Sequence, residues 1–156
     1  MAEYSEKMAE IVKGVLDERE WRHGFDAERG IFRFSMGVKS KIKKVDMVVF
    51  VGLGDLVAFG HLPLGADEGV LGRVGEYITR ANYGLTLGNF EMDLRDGEVR
   101  YRASLCFGEI LPSPDAVLRT LTIPLAMWQK YGDGLLAVMF SDASPAEEIQ
   151  KAEAPE

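Results

Sequence analysis

The sequence has few of the residues that usually build reactive or cross-linked sites. Its single cysteine, Cys106, cannot form an intrachain disulfide and has no second thiol at metal-ligand spacing. There are only two histidines, His23 and His61, and neither has a second histidine one helical turn away. No run approaches 18 uninterrupted apolar residues, and the opening Ala2, Glu3, Tyr4, Ser5, Glu6 is not a basic segment leading into an apolar one. These shortages predict no metal, no cofactor, no membrane partner and a cytoplasmic protein. Cys106 reads as a small buried hydrophobe, the histidines as capping or packing groups, and Trp21 and Trp128 as core or interface anchors.

What is present is ordinary for a folded domain: 156 residues, 47% hydrophobic and 28% charged. A chain of this length buries roughly 70% of its extended surface, enough for one core. The formal net charge of −7 repels phosphate backbones, so no nucleic-acid partner is expected unless basic residues gather on one face. Lys39, Lys41, Lys43 and Lys44 are the only such cluster, and between two apolar segments they read as a solvated hairpin loop or a protected strand edge instead of a phosphate site.

The periodicity predicts an α+β fold. Met8, Ile11, Val12, Val15 and Leu16 recur at helical spacing after Ser5, a fitting N-cap, with Gly24 expected just past the helix end. Phe32, Phe34, Met36 and Val38 then alternate as one face of a strand. Two more strands follow near Val45–Val51 and Leu56–Leu62. With Leu53-Gly54 as the loop between them, Val51 opposes Leu56, Val49 opposes Ala58, Phe50 opposes Val57 and Val48 opposes Phe59. Both faces of this pair are apolar, so each needs a cover, either from this chain or from another. Asp67 is expected to cap a second helix with the stripe Val70, Leu71, Val74, Tyr77, Ile78 and Ala81. Gly69, Gly72 and Gly75 interrupt that helix without the strand-to-helix context of a phosphate loop, which leaves close backbone packing or tolerated softness as their explanation.

Asp96-Gly97 reads as a two-residue hairpin loop. That register pairs Leu94 with Val99, Met92 with Tyr101 and Phe90 with Ala103, and on the other face Asp93 with Arg100 and Glu91 with Arg102. Ser113-Pro114-Asp115 opens a long C-terminal helix through Val117, Leu118, Leu121, Leu125, Trp128, Tyr131, Leu135 and Met139, which Pro124 is expected to kink or divide. Ser144, Pro145 and Glu147 form another start signal. Residues 1–144 are therefore read as one domain, and 145–156 as a short helix or frayed tail.

Gly24-Phe25, the stretch from Asn82 to Tyr101 with Gly88, Phe90, Asp93, Asp96, Gly97 and Val99, and the late Gly134-Leu135, Pro145 and Ile149 together resemble the YbjN-like family of bacterial sensory transduction regulators. The resemblance implies a fold similar to the dimeric chaperones of type III secretion, in α-β-β-β-α-β-β-α order. It carries no catalytic residue.

The expected function is a non-enzymatic, protein-binding domain: a chaperone-like adaptor or signalling regulator whose partner is a protein or peptide, or a second copy in a homodimer. The candidate surface is the sheet face of Val48, Phe50, Val57 and Phe59, or the helix bearing Gly72 and Gly75. A small enzyme built from scattered acids, histidines or Cys106, and a purely structural homodimer, stand as the alternatives.

Overall fold

The computed structural model describes residues 3–156. The elements run α1 (Glu6–Glu18), β1 (Gly24–Asp26), β2 (Ile31–Gly37), β3 (Lys44–Val51), β4 (Asp55–Gly65), a 3₁₀ turn (Glu68–Val70), α2 (Leu71–Asn82), β5 (Asn89–Met92), β6 (Glu98–Cys106), α3 (Pro114–Phe140) and α4 (Pro145–Glu153). The strands form one antiparallel sheet in the order β1-β2-β3-β4-β6-β5. This is the expected α-β-β-β-α-β-β-α order, with the short edge strand β1 and the terminal helix α4 added.

Ser5 caps α1 by accepting from the Met8 amide at 3.2 Å. The helix ends well before Gly24, which instead opens β1. The Glu20 amide donates to the Asp17 carbonyl at 3.0 Å and the Trp21 amide to the Leu16 carbonyl at 2.9 Å, with Glu20 itself at φ 57°. This is the paired bonding of a Schellman ending, made with a non-glycine residue in the left-handed position. Asp67 likewise differs from expectation: it precedes the 3₁₀ turn, and its side chain makes no capping bond.

The β3–β4 ladder has the register expected from the sequence, from Val51↔Leu56 to Val48↔Phe59. The β5–β6 ladder does not. It pairs Phe90 with Tyr101, Glu91 with Arg100 and Met92 with Val99, a shift of two residues. The loop is four residues long, closed by the Asp93 amide on the Glu98 carbonyl at 2.9 Å and the Gly97 amide on the Asp93 carbonyl at 2.8 Å. Asp93 and Asp96 fold the loop on themselves by accepting from the amides of Arg95 and Glu98. Gly97 sits at φ 76°, where a side chain would collide with the Ala66 backbone. Because the shift is even, Met92 and Tyr101 keep the same face.

α3 is one uninterrupted helix, so Pro124 does not divide it. Pro124 is buried against Gly60 of β4, where a Cβ would come within 2.9 Å of the proline ring. One turn later, the Trp128 indole donates to the Gly60 carbonyl at 2.8 Å. A glycine in the strand lets the helix approach closely, and that packing holds the turn that proline weakens.

The helices stack on one face of the sheet. Met8, Val12 and Leu16 of α1, Val74 and Tyr77 of α2, and Leu121, Trp128, Tyr131 and Leu135 of α3 share one core cluster with Phe32, Met47, Val49, Leu56, Ala58, Phe90 and Tyr101. Phe90 anchors it, with its ring edge-to-face against Tyr101, Trp128 and Tyr131 at 4.8, 5.1 and 5.6 Å. α4 packs outside α2 and α3, burying Ile149 and accepting from the Tyr131 hydroxyl through Glu153 at 2.9 Å.

The sheet ends are managed unequally. Asn82, the last residue of α2, accepts from the Phe90 amide at 2.7 Å and donates to the Phe90 carbonyl at 2.9 Å. Asn82 thus engages the outward backbone groups of Phe90 in edge strand β5, and the Asn89 side chain also donates to that carbonyl at 3.1 Å, where another strand would otherwise add.

Candidate interaction surface

The face opposite the helices is built row by row from the ladders. Ile31, Phe50, Val57 and Ser104 lie in one row; Arg33, Val48, Phe59 and Arg102 in the next; Ser35, Asp46, His61 and Arg100 in the third. Alternation along each strand turns these side chains away from Phe32, Val49, Ala58 and Ala103, which belong to the core. Among the described residues, no helix packs over this face.

One half of it is sealed by its own polar side chains. Phe59 is only 8% exposed although it is outside the main core. The Arg100 guanidinium lies 3.9 Å above its ring centre, with Arg102 at 5.3 Å, and Phe50 meets it edge-on at 5.8 Å. Glu91 holds both arginines, at 2.5 Å to Arg100 and 3.3 Å to Arg102. Arg100 and Arg102 are thus cross-strand partners of a carboxylate, as their sequence pattern suggests, but with Glu91 serving both. Asp93 turns back to Arg95, whose guanidinium hydrogen bonds hold its carboxyl down at about 2. His61 lies 3.3 Å from Glu98.

The other half is open. Phe50 is 41% exposed, and Val48 and Val57 beside it are half-buried. Around them Ser35 donates to Asp46 at 2.6 Å, and Lys44 lies 3.7 Å from the same carboxylate. Arg33 and Asp55 are exposed on this face and enter no ion pair among the described residues. The four sheet residues singled out from the sequence are therefore contiguous, but they differ: Phe50 is the exposed centre, Val48 and Val57 its half-buried flanks, and Phe59 a ring already covered.

Gly72 and Gly75 are elsewhere, on α2. A Cβ at Gly72 would meet nothing within 4 Å, and at Gly75 only the Met92 methyl at 3.8 Å. Close packing within the chain therefore does not account for them. Cys106 is exposed, contrary to its reading as a buried hydrophobe: it shares the face of Arg100 and Arg102, in register with Asp55. His23 packs on Phe32 and faces the Trp21 carbonyl at 2.9 Å. Trp128 is fully buried, whereas Trp21 packs at the core margin against Phe34.

The lysine-bearing loop between β2 and β3 is tied down through its backbone. Asp133 of α3 accepts from the Lys41 amide at 2.6 Å and from the Ser40 hydroxyl at 2.7 Å, leaving the lysine side chains of Lys39, Lys41 and Lys43 in solvent. A recess of about 710 Å³ is a half-open groove between α3 and α4 where Lys130 and Lys151 alternate with Asp133, Glu148 and Glu153. Lys130, Lys151, Asp133 and Glu153 are exposed there, whereas Glu148 is half-buried and paired with Lys151 at 3.0 Å. Among the described residues no helix is long and apolar enough to cross a membrane, and no three His, Cys, Asp or Glu side chains gather as metal ligands.

No family model matches the chain, and no curated protein matches it. The outer face was legible as apolar from its alternating residues. Arg33 and Asp55 were not legible as part of it, because neither stands out until the ladder places them around Phe50.

Proposed function

We propose that this chain is a non-enzymatic protein-binding domain, acting as an adaptor or regulator through its outer sheet face. The reading is carried by one observation: the helices all stack on one side, leaving Phe50 exposed between half-buried Val48 and Val57 on the other. A sheet that faces water normally alternates with polar side chains along its outer face, and a contiguous apolar centre with a charged rim has the anatomy of an interface. The sheet face supports this reading better than α2, where Gly72 offers a gap and no apolar side chain. The YbjN-like resemblance, with its chaperone-like fold and bacterial regulators, agrees with such a role.

A photo-crosslinking amino acid placed at position 50, and in parallel at exposed position 150 on α4, tests the reading in cells. Protein adducts are expected from position 50 and not from position 150. An absence of adducts at position 50 refutes the proposal.

A further inference from the structure

The outer face has a symmetry that bears on what covers it. Arg33 lies one strand to one side of Phe50, and two residues along from Ile31, the β2 partner of Phe50. Asp55 lies one strand to the other side, and two residues in the opposite direction from Val57, the β4 partner of Phe50. With strands about 4.8 Å apart and about 3.3 Å per residue, each is about 8 Å from Phe50 in the plane of the sheet. Arg33 and Asp55, which enter no ion pair among the described residues, therefore have opposite signs and are placed symmetrically about the most exposed aromatic ring of this face.

We propose that a second copy of this chain covers the face, about a twofold axis over Phe50 that closes Arg33 of each copy on Asp55 of the other. This deepens the reading of the outer face as a binding surface and rests on it. An axis lying between the two sheets, perpendicular to the line from Arg33 to Asp55, exchanges the two residues and sets Phe50 against Phe50. The same operation lays Val48 of one copy over Val57 of the other. The strands then cross at about 70°, near the orthogonal class of sheet packing. Arg102 lies close to the axis, so each copy brings it toward its own image; Glu91, which it shares with Arg100, accompanies it in each copy and offsets part of that charge.

Charge favours a copy of the same chain. Although the whole sequence carries −7, this face sets Arg33, Lys44, Arg100 and Arg102 against Asp26, Asp46, Asp55, Glu91 and Glu98. Two such faces approach without the repulsion that the remainder of the molecule imposes. Size is sufficient as well. Six strands of about seven residues project on the order of 600 Å², and side-chain relief brings this toward the ~800 Å² per partner of a standard interface.

Sedimentation equilibrium of the wild type and two charge variants tests the proposal. The wild type is expected to dimerise in the micromolar range. Arg33→Glu alone and Asp55→Arg alone place like charges at both symmetric contacts, and each weakens association on the order of tenfold or more. An equimolar mixture of the two variants restores dimers: the two substituted side chains then meet as an opposite-charge pair on one side, and the unsubstituted Arg33 and Asp55 meet on the other. A monomeric wild type at about 100 μM, or a dimer indifferent to the single variants, or a mixture that stays dissociated, overturns it.

A second measurement guards against a turn disturbed at Asp55. Arg33→Lys with a zero-length carbodiimide, in a mixture of isotopically light and heavy chains, is expected to yield a light–heavy crosslink between positions 33 and 55. A dimer without that crosslink sinks the geometry. A monomeric wild type that still gives heterologous adducts at position 50 refutes self-pairing while leaving the proposed function standing.

Discussion

Replacing Asn82 tests how far its side chain closes the β5 edge of the sheet at Phe90. Its amide makes two hydrogen bonds to the backbone of Phe90, 2.7 Å as acceptor and 2.9 Å as donor, from a half-buried position. A net hydrogen bond is worth about 0.5–1.5 kcal/mol, so Asn82→Ala is expected to cost about 1–3 kcal/mol. For a domain of this size that lowers Tm by roughly 2–4 °C per kcal/mol. Asn82→Asp is no remedy at neutral pH, because it keeps the acceptor but turns a second oxygen toward the Phe90 carbonyl. Denaturant unfolding gives the stability change, and amide exchange at Phe90 gives the mechanism: its protection falls in both variants. Since Phe90 also joins Tyr101, Trp128 and Tyr131, loosening the edge is expected to raise exchange in β5 before the rest of the sheet. A loss below about 0.5 kcal/mol together with unchanged Phe90 protection refutes the edge-cap assignment.

Two further outcomes follow from local backbone and charge geometry. Glu20 ends α1 at φ 57° while exposed, so Glu20→Gly removes left-handed strain and is expected to stabilise the chain by up to about 1 kcal/mol in denaturant unfolding; a loss of stability contradicts the Schellman assignment. Asp93 is held at about 2 by the Arg95 side-chain and backbone hydrogen bonds. Its folded pKa is below the unfolded value, so its contribution is present above about pH 4 and lost as pH falls toward 2. Carboxyl NMR titration is expected to show that low midpoint, and Arg95→Gln to move it up toward the ordinary range; an unmoved midpoint contradicts the pairing with Arg95.

The fold was legible wherever a local signal and the apolar alternation pointed to the same residue. Leu53-Gly54 and the paired faces of β3 and β4 agree, and that ladder has the expected register. The β5–β6 register was ambiguous because alternation of period two cannot distinguish shifts of two. Arg100 finds a carboxylate at Asp93 in one register and at Glu91 in the other. What decides between them is the loop: two aspartates bonding to its own amides, and Gly97 seated where only a missing side chain clears Ala66. That last contact is non-local, and nothing in the local sequence around Asp96-Gly97 encodes it. Glu20 shows the converse, since the chain accepts left-handed strain at a glutamate four residues before the glycine that local rules select.

The choice of outer face was hidden for a related reason. Val48, Phe50, Val57 and Phe59 are as apolar in sequence as Val49, Val51, Leu56 and Ala58, so hydrophobicity alone does not say which set the helices cover. Gly60 supplies the missing information. It is the position where α3 brings Pro124 and Trp128 down to the backbone of β4, and it points to the same side as Ala58 and Leu56. A glycine in the middle of the strand thus selects the inner face. Phe59, left outside, gains its cover from Arg100 and Arg102 across the ladder, whereas Phe50, one strand farther from those arginines, does not. The difference between the two phenylalanines is therefore one of reach: an arginine on β6 spans to β4 but not to β3, so the uncovered ring is the one at the centre of the face.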